Sequence, residues 1–252
     1  MSLDSDLQTK AYNLLWVAPR LPEQGDLRYL NSKPPMPAKT VENVRGIAQG
    51  NRGVDVRLWV DSERITAEQY GWLERMTENC PSRNLSLLDL RMIAEYQEEE
   101  LYRQPDTNLD WRANKQSLIW RQVDAARILV CLQGDYDQTF YSDADIRNLR
   151  VNARKVQRPM QKYGMLFCYH ATLGIPENGL FGFTRREKDS FRRLYNETVR
   201  YVKDFKRNGY DRYTQFLDRI EMDRRIPTEE MRFNVFARDF DGTEATHPGL
   251  ST

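Results

Sequence analysis

The sequence predicts an α/β fold built on a largely parallel sheet, and three observations carry that expectation. Val54, Val56, Leu58 and Val60 alternate with Asp55, Arg57 and Trp59, the period-two pattern of a strand. Two further apolar runs, Asn13 to Val17 and Leu85 to Leu90, stand on either side of it, with helix-period segments between. Strand, helix, strand, helix, strand is the order that places parallel strands side by side through helical crossovers.

Asn13-Leu14-Leu15-Trp16-Val17 reads as a buried first strand, and Ala18-Pro19 ends it at a loop. Prolines at 34, 35 and 37 punctuate the next stretch. From Lys39 to Gln49, Val41, Val44, Ile47 and Ala48 share one helical face, and the glycines at 50 and 53 stop that helix. After the Val54 to Val60 strand, which ends on Asp61-Ser62, Thr66-Ala67-Glu68-Gln69 has capping-box form and opens a helix through Tyr70, Leu73 and Met76. Charged residues dominate from Arg91 to Arg103, which predicts a solvated helix, and Pro105 to Asp110 reads as loop.

The most informative stretch is Trp120 to Ile146. It opens with an apolar-striped helix carrying Asp124, Arg121 and Arg127, passes through an irregular turn, and ends in an aromatic β-type run closing on Ser142-Asp143-Ala144-Asp145. Two carboxylates separated by one small residue at a strand end suit a hard cation such as Mg²⁺ or Mn²⁺. Such ions take oxygen ligands, often one or two carboxylates, with phosphate and water completing the shell. Asp135-Tyr136-Asp137 is a second pair of the same form, but it falls where the turn is expected, so the pair at 143 and 145 is the candidate.

Arg147 to Lys162 is basic and nearly without apolar periodicity, which predicts an exposed surface segment. Gly164 to Tyr169 reads as a buried strand. Thr184-Arg185-Arg186-Glu187 has capping-box form before a long helix through Phe191, Leu194, Val199, Val202 and Phe205. Tyr213 to Ile220 and the stretch from Pro227 read as helices, and Phe233 to Ala237 as a last strand. One domain spanning 1–252 is the expected organisation, with no internal repeat.

Composition limits the function classes. Lys+Arg 38 against Asp+Glu 37 leaves a net charge of +1, so no global field recruits nucleic acid or a membrane. Cys80, Cys131 and Cys168 are odd in number and widely spaced, which fits neither a disulfide framework nor a zinc pattern. No stretch approaches the roughly 18 to 20 apolar residues of a membrane span, and no signal peptide is visible. A reducing cytoplasm is the expected setting, either the cell's own or a host cytoplasm into which the protein is delivered.

Three pieces in this order carry a resemblance: the strand end Leu14-Leu15-Trp16-Val17, the helix Val123-Asp124-Ala125-Ala126-Arg127, and Phe140-Tyr141-Ser142-Asp143-Ala144-Asp145-Ile146. A fourth, Glu177-Asn178-Gly179-Leu180-Phe181, follows the next strand. Together they resemble the D-x-D glycosyltransferases of the large clostridial toxins and related bacterial effectors. The chain departs from that pattern in having Gly134-Asp135 where the family has a Gly-Gly pair, and its Asp-x-x-Arg helix lies further from the D-x-D, as if Asp135 to Phe140 were partly inserted.

The resemblance implies a GT-A-type fold, a Rossmann-like mixed sheet flanked by helices with additional helices and a C-terminal lid segment at 238–252. It implies a nucleotide sugar as donor, most often a UDP-sugar, and Mn²⁺ or Mg²⁺ as cofactor. Asp143 would contact ribose and sugar, and the metal through water, and Asp145 would ligate the metal directly. Trp16 would stack near the uracil, with Val17 and Tyr141 also in the donor site. Asp124 and Arg127 would hold sugar hydroxyls, Glu177 and Asn178 would complete the catalytic set, and the outcome would favour retention. Spacing agrees for one pair: Asp124 and Arg127 are three apart, hence on one helix face. In the tail, Glu244, Thr246 and Ser251 are oxygen-bearing candidates for the lid.

The acceptor is expected to be a protein side chain, either a Ser/Thr hydroxyl or an Arg guanidinium. A rival reading makes the chain a non-catalytic module that binds a partner or nucleic acid through the basic segment 147–162, nucleic acid being the less expected partner. His170 after the buried strand is a weaker candidate base. Val235 to Thr243 carries an Asp-Phe-Asp-Gly-Thr sequence like that of aspartate-nucleophile phosphatases, but their chemistry needs a whole α/β domain after the motif and only nine residues follow.

Overall fold

The computed structural model describes residues 8–17, 34–103, 118–144, 146, 149–170, 175–203, 215–216 and 232–234. Asp145, the phosphatase-like Asp-Phe-Asp-Gly-Thr sequence and the tail candidates Glu244, Thr246 and Ser251 lie outside them, as do nearly all of the helices expected at Tyr213 to Ile220 and from Pro227. For Cys168, Tyr169, His170, Glu177 and Asn178 the backbone alone is described.

The elements run β1 (Lys10–Trp16), α1 (Ala38–Gly50), β2 (Asp55–Val60), α2 (Ala67–Glu78), β3 (Leu85–Asp89), α3 (Ala94–Glu98), α4 (Glu100–Arg103), α5 (Leu118–Cys131), β4 (Gln138–Asp143), α6 (Arg154–Tyr163), β5 (Met165–His170), β6 (Ile175–Thr184), α7 (Lys188–Lys203) and β7 (Arg232–Asn234). They form a mixed seven-stranded sheet in the order β3-β2-β1-β4-β6-β5-β7. The pairs β3–β2, β2–β1 and β1–β4 are parallel, β6 is antiparallel to both β4 and β5, and β5–β7 is parallel. The expected α/β class and the parallel β1 to β3 unit are therefore present.

Helices cover both faces. On one face α1 and α2 bury Val41, Val44, Ile47, Leu73 and Met76 against Tyr12, Leu14, Val56 and Leu58. On the other, α5 and α7 bury Val123, Ile128, Phe191 and Leu194 against Leu15, Trp59, Tyr141, Phe167 and Phe181. Two faces covered by helices explain why β1 and β2 are almost continuously buried strands. Burying one such apolar side chain contributes about 1.5–3 kcal/mol, so these two layers dominate the packing energy.

Local signals were obeyed unevenly. The Thr66 capping box forms in full: Thr66 accepts from the Gln69 amide and the Gln69 side chain accepts from the Thr66 amide. The second one does not. Thr184 ends β6 and makes no side-chain cap bond, and Arg185–Glu187 form a 3₁₀ turn before α7. Pairing of β6 through Thr184 to Gln138 holds that backbone in the sheet. The charged stretch from Arg91 forms two short helices rather than one solvated helix, because Tyr96 and Tyr102 stack at 4.2 Å within the core. The basic stretch also departs from expectation. Residues 154–163 form a helix that buries Val156, Pro159, Met160 and Tyr163, a stripe sparse enough for the charges around it to hide. Gly164, at φ 80, closes that helix and returns its amide to the Met160 carbonyl.

Candidate active site

An open α/β sheet binds ligands beyond the carboxyl ends of its strands, at the point where the strand order reverses. Here the chain winds outward from β1 through β2 to β3, then returns through α5 to place β4 on the other side of β1. The reversal lies between β1 and β4, whose register pairs Leu15 with Asp143. Trp16, Val17 and Asp143 thus stand together at the carboxyl edge where a ligand is expected.

Strand alternation puts Tyr141 and Asp143 on the face covered by α5. There Arg127 Nη2 lies 3.3 Å from Asp143 Oδ1, and its Nη1 lies 3.7 Å from Asp124 Oδ1. The Tyr141 hydroxyl donates to the same Asp143 Oδ1 at 2.7 Å. The side chains of Arg127, Asp124 and Asp143 keep 11%, 16% and 22% exposure, so they are screened but reachable. Burial by itself would favour a neutral guanidine, but the Asp143 carboxylate, Tyr141 and Asp124 outweigh it and hold the Arg127 pKa above its ordinary value. Arg127 is therefore a fixed cation between two carboxylates.

The inserted-turn expectation is corrected in part. The strand begins at Gln138, so the whole of Asp135 to Phe140 does not loop out, yet Arg127 still reaches both carboxylates. Asp135 and Asp137 lie at the opposite end of β4, where both pair with Arg185 and Asp137 also accepts from the Thr9 amide.

The aromatic layer behind the site fixes Tyr141. Its ring stacks on Phe181 at 5.2 Å, and Phe181 stacks on Phe191 of α7 at 5.7 Å. Pairs of this kind contribute about 0.5–1.5 kcal/mol beyond area burial. Tyr141 is 1% exposed, so its polar group serves Asp143 from behind.

The β4–β6 register pairs Ser142 with Leu180 and so sets Gly179 beside Asp143. A Cβ at 179 would meet Asp143 Oδ2 at 3.1 Å and Cγ at 3.7 Å. Glu177 and Asn178 precede Gly179 in β6, so their backbone borders the same carboxyl edge, and β5 brings the backbone of His170 opposite Ile175. Half-buried Trp16 donates its indole N–H to the Pro35 carbonyl at 3.2 Å and packs with the α1 and α2 face. Val17 packs against the opposite, α5-side cluster.

A neighbouring network was not legible from spacing. Asp61, 1% exposed at the end of β2, accepts from Arg91 Nε at 2.8 Å, Arg91 Nη2 at 2.9 Å, Tyr96 Oη at 2.9 Å and Arg64 Nε at 3.2 Å. Arg64 also donates to Gln122 Oε1 at 2.5 Å, and Gln122 donates to the Leu101 carbonyl at 2.8 Å. The β2 edge is thereby tied to α5 two residues before Asp124. Desolvation would raise the Asp61 pKa, but the bonds and charge of Arg91, with help from Tyr96 and the Glu63 amide, hold it below the ordinary carboxylate value. The local sequence signal was an acid closing the clearest strand with Arg64 three residues on; nothing local announced Arg91, Tyr96 or Gln122.

Among the described residues no group of three His, Cys, Asp or Glu could hold a metal ion. A hard cation bound to a diphosphate needs fewer, since one or two carboxylates suffice when phosphate and water supply the rest. Asp143 could enter such a set, with its Oδ1 committed to Arg127 and Tyr141 and its Oδ2 on the Gly179 side.

No protein-family model matches the chain, and no curated protein matches it. Solved structures do share its fold. One, described as PaToxG glycosyltransferase, aligns with a TM-score of 0.54 at 14% identity over 88% of this chain and 70% of its own. A second, described as a transferase, aligns with a TM-score of 0.59 at 13% identity over 90% of each chain. The chain has the GT-A-like α/β fold found in these transferases, with the Arg127 cluster at its topological switch point.

Proposed function

We propose that the protein is a metal-dependent glycosyltransferase that moves a sugar from a nucleotide-diphosphate sugar, a UDP-sugar first among them, to a side chain of a protein acceptor. The observation that carries this reading is the Arg127 guanidinium between Asp124 and Asp143 at the β1–β4 switch point. Sugar hydroxyls both donate and accept, and a carboxylate beside a guanidinium offers them both kinds of partner. The fold shared with solved transferases supports the same reading.

In this mechanism Asp124 and Arg127 orient the sugar, and Asp143 fixes the ribose and sugar from the strand end. Tyr141 and Arg127 hold Asp143 in place, so no reorganisation is needed as charge develops. Mn²⁺ or Mg²⁺, held by Asp145 with Asp143 alongside, would neutralise the departing diphosphate when bound. Trp16 and Val17 border the nucleotide, and Glu177 and Asn178 border the reacting sugar. Buried free thiols at Cys80 and Cys131 fit work in a reducing cytoplasm, the cell's own or a host's.

The test is incubation with a panel of nucleotide sugars and Mn²⁺, following donor binding and donor hydrolysis. Binding that requires Mn²⁺ and is lost in Asp145→Ala is expected. Absence of donor binding, or an Asp145→Ala variant that binds and turns over like the parent, sinks the reading.

A further inference from the structure

Helix α5 carries Asp124 and Arg127 to the end of β4, and the side chains that seat it on the sheet are apolar. Val123, Ala125, Ala126, Ile128 and Leu129 are all buried there, and apolar contact has no direction of its own. The first turn, Leu118 to Arg121, holds no acidic residue to answer the positive end of the helix dipole. Placing α5 at one height along the sheet therefore calls for hydrogen bonds, which do have direction.

Gln122 supplies them. The residue is 2% exposed and both ends of its amide are engaged: Oε1 accepts from Arg64 Nη2 at 2.5 Å, and Nε2 donates to the Leu101 carbonyl at 2.8 Å. Arg64, in the 3₁₀ turn after β2, is itself fixed by Asp61 at 3.2 Å, and neither of those side chains has any exposure. Asp61 is held in turn by Arg91 and Tyr96. Gln122 is thus pinned from the end of β2 on one side and from α4 on the other. An arginine, an aspartate and an amide buried together are costly to desolvate, and apolar side chains of like volume often stabilise as well or better. Apolar filling would not, however, select one height for the helix.

That height matters to the site. Asp124 lies two residues past Gln122, about 3 Å further along the helix axis. The contact that crosses from α5 to β4 is Arg127 to Asp143 at 3.3 Å, so a slip of about 1 Å along it passes the reach of an ion pair, about 4 Å. Trp16 and Val17 belong to β1 and its end, so the nucleotide side of the site does not depend on α5 in the same way. We propose, resting on the glycosyltransferase reading, that Gln122 is a positioning residue. Through Arg64 and Leu101 it sets α5 at the height where Asp124 and Arg127 meet the donor sugar, and it touches neither sugar nor nucleotide itself.

The test uses Gln122→Met, which nearly keeps the volume and removes both bonds, in the full chain with Mn²⁺ and with UDP-glucose, UDP-galactose and UDP-N-acetylglucosamine as donors. For the donor that the parent hydrolyses fastest, kcat/KM should fall about a hundredfold, the scale expected of a misplacement of about 1 Å. Inhibition by UDP, which lacks the sugar, should keep its parent value. Arg64→Met should lower kcat/KM by a similar factor, and the double variant no further than either single one, because both cut one link. Val156→Ala, a core truncation under α6, controls for lost stability and should leave both values unchanged. The proposal is overturned if Gln122→Met hydrolyses the donor as Val156→Ala does, if UDP inhibition weakens in step with turnover, or if the effects of the two Met variants multiply. A parent that neither binds nor hydrolyses any of the three donors removes the glycosyltransferase reading and this proposal with it. A parent that turns over a donor beside an unaffected Gln122→Met removes this proposal alone.

Discussion

Arg127 Nη2 stands 3.3 Å from Asp143 Oδ1, joining helix α5 to the end of strand β4 at the switch point of the sheet. The same guanidinium lies 3.7 Å from Asp124 Oδ1, so its loss exposes two carboxylates to each other. Breaking a buried pair by removing one partner costs about 3–5 kcal/mol, and partial exposure should bring this case toward the lower end. Arg127→Ala is expected to lower the melting temperature and abolish donor turnover. Arg127→Lys should recover more of the stability than of the turnover, because an ammonium lacks the planar fork that serves two acids at once. Thermal melts beside donor-hydrolysis assays check both.

Tyr141→Phe removes one donor from Asp143 and leaves the stacked ring in place. A hydrogen bond to a charged group contributes about 1.5–3 kcal/mol, so a fall in kcat/KM of roughly tenfold to a hundredfold is expected, with little change in global packing. Donor kinetics compared with the near-UV dichroism of the aromatic layer separate the two effects.

Gly179→Ala places a methyl carbon 3.1 Å from Asp143 Oδ2. The carboxylate cannot swing aside freely because its other oxygen is bonded to Tyr141 and paired with Arg127. Turnover should fall and the Mn²⁺ concentration for half-activity should rise, with the melting temperature nearly unchanged. Wild-type metal dependence in this variant would show that the position has slack.

Asp135→Asn serves as the contrast. Asp135 is exposed and lies at the far end of β4 from the proposed site, beside Arg185. Donor turnover equal to the parent is expected, whereas Asp143→Asn should lose it; assaying both under one Mn²⁺ titration tests which acid pair matters.

The depressed pKa of Asp61 predicts a pH dependence of stability. A carboxyl whose folded pKa lies below its unfolded value of 3.8 contributes stability that is complete well above 3.8 and is lost as pH falls through the folded value. Parent stability should therefore decline below about pH 5 more steeply than that of Asp61→Asn, while Asp61→Asn starts lower at neutral pH because Arg64 and Arg91 lose their counter-charge. Urea unfolding from pH 3 to pH 7 measures both curves.

Short windows of sequence determined a good deal of this protein. Alternation from Val54 to Val60, the Thr66 to Gln69 cap and the i, i+3 spacing of Asp124 and Arg127 depend only on neighbours within a turn or a strand, so each appears in the structure as local geometry demands. Signals fail where distant packing outweighs local preference: Thr184 is held in β6 instead of capping a helix, and Tyr96 and Tyr102 are drawn into the core from a charged stretch. The site belongs to the second kind. That Arg127 meets Asp143, that Gly179 sets the space beside it, and that Asp61 reaches α5 through Arg64 and Gln122 follow from the β1–β4–β6 register and the seating of α5. Those contacts span long stretches of chain, and only burial of both sheet faces fixes them, so the sequence named most of the side chains but the tertiary structure decided which of them touch.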